Sequence, residues 1–153
     1  ESKFIDLGKL CIKEGEKVWE IFIDIYPIND DGNLLDAAGI GAIVALKNSK
    51  IPKYDEEAGK VMHGEWTDKK IPVKKEMPIS ITVHKIGSSL IVDPNLEEED
   101  CSQTRVTIGG YDETIHSLQK GDSKSLKVEE FHKVLDLAEK VRKNIFKKVE
   151  KFL

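Results

Sequence analysis

Between residues 18 and 28 the chain reads VWEIFIDIYPI. Trp19, Ile21, Ile23 and Ile25 fall on one face of an extended segment. Val18, Phe22 and Tyr26 share the other face with Glu20 and Asp24. Apolar bulk on both faces predicts a buried strand, central in its sheet. Asp24 would then be a half-buried acid in need of a partner. The next run, NDDGNLLDAAGIGAIVALKNSKIP, opens on a turn at residues 29–32. Asn33 can cap a helix, with Asp36 answering it three residues on. Residues 34–46 are apolar nearly all round, so the helix is expected to be buried and to end near Asn48, ahead of Pro52. Gly39 and Gly41 each cost such a helix about 1 kcal/mol. Close approach of a neighbouring element is the expected compensation.

Residues 53–77 are polar and read as a long connection, with one short strand around Val61 and a boundary between two lobes. Four short strand patterns follow, over 79–86, 89–92, 105–109 and 114–119. Gly87 marks the first turn and Gly109-Gly110 the last. Residues 127–152 carry Val128, Phe131, Val134, Leu135, Ala138, Val141, Ile145 and Val149 at helical spacing. Strand, helix, connection, four strands and helix make an α+β architecture. The opening strand and helix cannot close a sheet alone, so their partner strands are expected to come from elsewhere.

Composition narrows the classes. The 153 residues are 39% hydrophobic and 34% charged, a soluble globular balance, and the net charge of −4 lacks the basic surplus of a chain that holds nucleic acid unaided. No apolar run approaches the roughly 18 residues of a membrane helix. The opening ESKFIDLGKL has no signal-peptide pattern and no initiator Met, so it is not expected to be the native start. Cys11 and Cys101 are far apart and outside any CxxC spacing, which fits a reduced, cytoplasmic interior. His63, His84, His116 and His132 are singletons, expected at the surface or the edge of the core.

The densest candidate chemistry is the acidic run Glu97, Glu98, Glu99, Asp100. A divalent metal needs carboxylates converging from several elements, whereas neighbours on one segment diverge. The run reads as a solvated turn or the start of a helix, and no metal site is predicted. A metal-dependent hydrolase built on these acids remains the competing enzyme class. Lys140, Lys143, Lys147 and Lys148 lie on the polar face of the last helix, either as a solvated face or as a stripe facing RNA or a partner. Lys120, Lys124 and Lys127 flank the GDS turn, where Ser123 and Ser125 read as turn or cap residues.

Three blocks, residues 5–52, 78–99 and 117–130, resemble the RNase PH superfamily. The match is nearest to the non-catalytic RNase PH-like subunit of the archaeal exosome, with the eukaryotic exosome subunits next. The resemblance implies that residues 1–52 end the first RNase PH lobe, that 53–77 connect, and that 78–153 form the second lobe. The N-terminal half of the family fold would then be absent, a partial fold.

In catalytic members, two aspartates about six residues apart lie beside the RNA 3′ end. Counted from Asp93, those positions fall on Glu99 and Arg105, and a cation cannot serve as base or metal ligand. Catalytic members also hold inorganic phosphate on a Gly-(Ser/Thr)-Arg turn that opens the buried helix. Here that turn is Gly32, Asn33 and Leu34, and the arginine is gone. The resemblance therefore implies a non-catalytic, RNA-guiding subunit that needs no cofactor. It would alternate with a catalytic sister in a six-membered ring, under RNA-binding cap subunits, with single-stranded RNA threading the channel to be trimmed and tailed from its 3′ end. The competing reading is an active phosphorolytic exoribonuclease using Glu99 or Asp100 as its acid.

Overall fold

The computed structural model describes residues 2–152. Its centre is an antiparallel sheet of β5 (Ile79–Ile86), β6 (Ser89–Val92), β7 (Thr104–Tyr111) and β8 (Thr114–Gly121), in the order β6-β5-β7-β8. Along β5 every second side chain, Ile79, Ile81 and Val83, is buried. On β7 Val106 and Ile108 match them across the ladder. Two long helices pack on β5: α1 (Leu34–Asn48) through Ile43 and Leu46, and α3 (Val128–Val149) through Val134 and Ala138. A half-buried ion pair at 2.6 Å between Lys85 on β5 and Glu130 pins the start of α3, and Glu130 also accepts the Lys127 main-chain N–H. The four strands, both helices and the α+β class stand where the hydrophobic pattern puts them, but α1 is not the buried helix its composition suggests: Ile43 and Leu46 face the core while Leu34, Leu35, Ala37, Gly41 and Ala45 are exposed, because among the described residues no element covers that face.

Four expectations need correction. Residues 18–28 do not form a buried strand. Only β1 (Cys11–Lys13) and β2 (Lys17–Val18) pair here, while Phe22, Tyr26 and Ile28 are 81%, 82% and 99% exposed and Asp24 is exposed too. An extended segment becomes a strand only when a neighbour takes up its N–H and C=O groups. Among the described residues no strand lies alongside 19–28.

Second, residues 53–77 are largely structured. β3 (Lys50–Asp55) and β4 (Lys60–Lys70) form a hairpin. Its turn is built by Asp55, whose Oδ1 accepts the N–H groups of Glu57 and Ala58, and by Gly59 at φ +66°. The strands carry Lys53–Glu65 and Lys50–Asp68 pairs, so charge conceals their alternation.

Third, Gly109 and Gly110 lie inside β7, and the turn falls on Asp112 at φ +48°. The glycines serve close approach. A Cβ on Gly109 would strike the Ser117 hydroxyl, and one on Gly110 would strike Thr114 O and the Arg142 guanidinium. Gly39 and Gly41, by contrast, meet nothing within 4 Å.

Fourth, His84 is 1% exposed in the middle of β5, with Nδ1 3.1 Å from Ser102 Oγ. His63 and His132 are exposed and His116 is half-buried.

Candidate functional site

β6 ends at Val92, and Asp93, at φ +56°, turns the chain out of the sheet. The acidic run then winds into a single helical turn, α2 (Leu96–Asp100). Asn95 caps it: its side chain accepts the Glu98 N–H at 2.9 Å, and the Glu98 carboxylate accepts the Asn95 N–H at 3.0 Å. Carboxylates are favoured in a first helical turn by its unpaired N–H groups. Glu97, Glu98 and Asp100 are exposed.

Glu99 points the other way. Its Oε2 accepts the main-chain N–H of Asn33 at 2.9 Å, and its Oε1 lies 3.9 Å from Arg105 Nη1. The two loops touch because Gly32, at φ +90°, has no side chain: a Cβ there would collide with Pro94 O. Asn33 sits in the left-handed region at φ 52° and does not cap α1 with its side chain, contrary to the cap the sequence suggests. Its Nδ2 instead donates to Asp93 Oδ1 at 3.0 Å. Asp36 does not answer Asn33 as a capping box either. It is 5% exposed and accepts both the main-chain N–H and the hydroxyl of Thr82, each at 2.8 Å. β6 reaches only as far as Val83, so the Thr82 N–H would otherwise lack a strand partner.

Thus Gly32, Asn33, Glu99 and Arg105, distant in the chain, form one cluster at the N-terminus of α1. Leu34 stands apart from it, half-exposed beside Ile25 and Tyr26 in a groove of about 400 Å³. A second groove of about 440 Å³ runs between α1 and α3, past Asn33, Asp36, Val92 and Lys148.

Burial raises the Asp36 carboxyl above the usual carboxylate range, against the pull of the Thr82 hydrogen bonds. Burial lowers His84, opposed by Glu99 and reinforced by Arg105. The helix N-terminus is an anion site by its donors, and here a carboxylate of the chain itself accepts one of them, the Asn33 N–H, with a guanidinium behind it. Among the described residues no three His, Cys, Asp or Glu side chains converge to hold an ion, and no helix is long and apolar enough to cross a membrane.

Sequence reasoning missed the Asp36–Thr82 pair and buried His84. A lone acid on an otherwise apolar helix face was the available signal for the first. Nothing in the sequence marks the second, a histidine within a buried strand.

The fold is α+β, two helices on a four-stranded antiparallel sheet, with the Glu99 carboxylate on the Asn33 N–H at the start of one helix. Comparison with known proteins gives the family. The 3′ exoribonuclease family matches in both its parts, domain 1 over residues 6–52 and domain 2 over residues 76–141. The chain belongs to this RNase PH family and has its fold.

It is 47% identical over 142 residues to an exosome complex component Rrp42 of Thermococcus onnurineus, covering 90% of this chain and 51% of that protein. It is 43% identical over 160 aligned positions to the Rrp42 of Pyrococcus furiosus, covering 99% and 56%. A solved archaeal exosome core superposes with a TM-score of 0.84 at 37% identity, over 98% of this chain and 58% of that one. An Archaeoglobus fulgidus exosome with RNA bound to the active site superposes at 0.83 and 38% identity, over 97% and 56%. The chain spans about half the length of the curated relatives it matches.

Proposed function

We propose that this chain is part of a ring subunit of an archaeal-type exosome, one that shapes the ring and guides RNA but performs no phosphorolysis itself. Its similarity to Rrp42 components and exosome cores supports the assembly. The observation that carries the non-catalytic reading is the Glu99 carboxylate on the Asn33 N–H. Inorganic phosphate would need the donors of that helix end, and a fixed negative charge already holds one of them, the Asn33 N–H. Where a catalytic member has its second aspartate, Arg105 can neither take a proton nor bind a cation. Leu34 supplies no guanidinium to clamp phosphate. The subunit works without a cofactor.

On this reading the partners are a catalytic RNase PH-like sister, which alternates with this subunit in a six-membered ring, and RNA-binding cap subunits on one face. Single-stranded RNA passes through the channel toward the sister's active site, in the cytoplasm, for 3′-to-5′ degradation and tailing. Residues 1–52 belong to the first lobe, 53–77 link, and 78–153 make the second. RNA contacts would be electrostatic and blind to sequence, weakening steeply with salt. Lys124 and Lys127 are exposed and free to meet phosphates. Lys120 is turned back onto the carbonyls of Gly121 and Asp122.

Co-expression with a catalytic RNase PH-like exosome subunit, followed by native mass spectrometry, tests the assembly. Three copies of each chain in one particle are expected, and persistent separate species would overturn it. A second reading, in which the chain is itself phosphorolytic, draws on Asp93 and Glu99 both reaching Asn33. It requires one of those carboxylates to leave its donor.

A further inference from the structure

Arg142, on α3, lies under the β7–β8 hairpin and is 4% exposed. It fits there because Gly110 has no side chain to strike it. Its Nη2 donates to the main-chain carbonyl of Asp112, and its Nε has no acceptor. None of the ion pairs among the described residues involves it. A buried guanidinium met only by a carbonyl is an under-compensated charge, costly unless an anion completes it. Burial accordingly lowers its proton affinity, with Glu139 and Asp112 opposing.

Beside it opens a cavity of about 380 Å³. Met77 and the edge-on pair Tyr111–Phe146, centroids 5.6 Å apart, form its apolar walls. Lys143 and Lys147 stand at its rim with Asp112. Lys143 is taken by Glu139 at 2.5 Å, whereas Lys147 has no ion pair among the described residues. Glu113 lies further along the turn and does not line the cavity. The three cations less Asp112 and Glu139 leave about one positive charge. That balance suits a single carboxylate better than a doubly charged phosphate or a nucleic-acid strand, and the aromatic walls suit an apolar side chain next to it.

We propose that this cavity receives a segment of a partner polypeptide presenting one carboxylate beside an apolar side chain. The carboxylate meets Arg142 and Lys147, and the apolar group lies against Tyr111, Phe146 and Met77. The site is distinct from the α1 cluster and stands whether or not the subunit is catalytic.

The two methionines make the test direct, because Met77 lines the cavity and Met62, on β4, does not. With methyl-labelled methionine in the 153-residue chain, N-acetyl-phenylalanine is titrated against its amide, inorganic phosphate and a uridine hexanucleotide. The expected result is a saturable shift of the Met77 methyl with the carboxylate alone, Met62 unmoved, and affinity weakened about tenfold by Lys147→Glu. Lys147 is exposed, so this variant keeps the fold. An equal response to the amide, an unchanged affinity in Lys147→Glu, or no Met77 shift would overturn the proposal. A saturable shift with phosphate or the hexanucleotide but not the carboxylate would overturn it in favour of a phosphate or RNA site.

Discussion

The main-chain N–H of Asn33 donates to the Glu99 carboxylate at 2.9 Å, joining the first turn of α1 to a residue 66 positions further along the chain. A helix start exposes N–H groups with no partner inside the helix, and a fixed anion satisfies them while complementing the dipole. The same carboxylate faces Arg105. The contact ties α1 to the loop that leaves β6.

Glu99→Ala should therefore destabilise the chain by about 1.5–3 kcal/mol, the range for a hydrogen bond to a charged group. Glu99→Gln retains an acceptor and should cost less. Urea unfolding at neutral pH measures both. No loss in the alanine variant would mean that the contact is not made in solution.

Amide exchange should divide the molecule sharply. Residues 22–28 have exposed side chains and no ladder partner, so they should exchange at nearly unprotected rates in this chain. The central strands β5 and β7, buried and paired along their length, should be the slowest. Peptide-resolved hydrogen exchange reads this, and strong protection over 22–28 would show that the segment has found a partner strand.

Much of the fold was legible in the sequence. Ile79, Ile81 and Val83 alternate with polar residues, and α3 repeats its apolar positions at helical spacing, so local pattern and tertiary packing agree there. The misreadings have a common cause: a pattern states what a segment could bury, not what is present to bury it. Residues 19–28 carry a core strand's pattern with, among the described residues, no strand beside them. The β3–β4 hairpin carries a surface pattern and is held by Asp55 and paired charges. Gly109-Gly110 looks like a turn because glycine answers two different needs. At the site, the resemblance picked out Gly32, Asn33 and Leu34 and, separately, Glu99 and Arg105. Only the coordinates reveal that Glu99 touches Asn33, since loop-to-loop contact across 66 residues leaves no periodic trace.

The glycines separate these two needs by the sign of a mutation. Gly39 faces open space in mid-helix, so Gly39→Ala should stabilise the chain by about 0.5–1 kcal/mol. Gly110→Ala should lower stability by about 2 kcal/mol through collision with Thr114 O and Arg142. Thermal or urea unfolding of the two variants gives opposite shifts if the close approach in β7 is real.

Acidification should weaken the fold through His84. Burial depresses its proton affinity below the ordinary value of 6.5, so the unfolded chain binds the proton more readily than the native one. Its contribution is complete above 6.5 and is lost as pH falls through that value toward the depressed one. Asp36 works in the opposite sense: its raised carboxyl favours the native state at low pH, and that contribution disappears as pH rises through the folded value. Unfolding midpoints should fall in the native sequence as pH drops below 6.5 and hold steadier in His84→Gln.

The proposed non-catalytic role is tested most directly by incubating the protein with single-stranded RNA and inorganic phosphate and following nucleoside diphosphates. The account predicts none above background, in the native sequence and in Glu99→Gln alike. Release of nucleoside diphosphates by the native protein, abolished in Glu99→Gln, would contradict it.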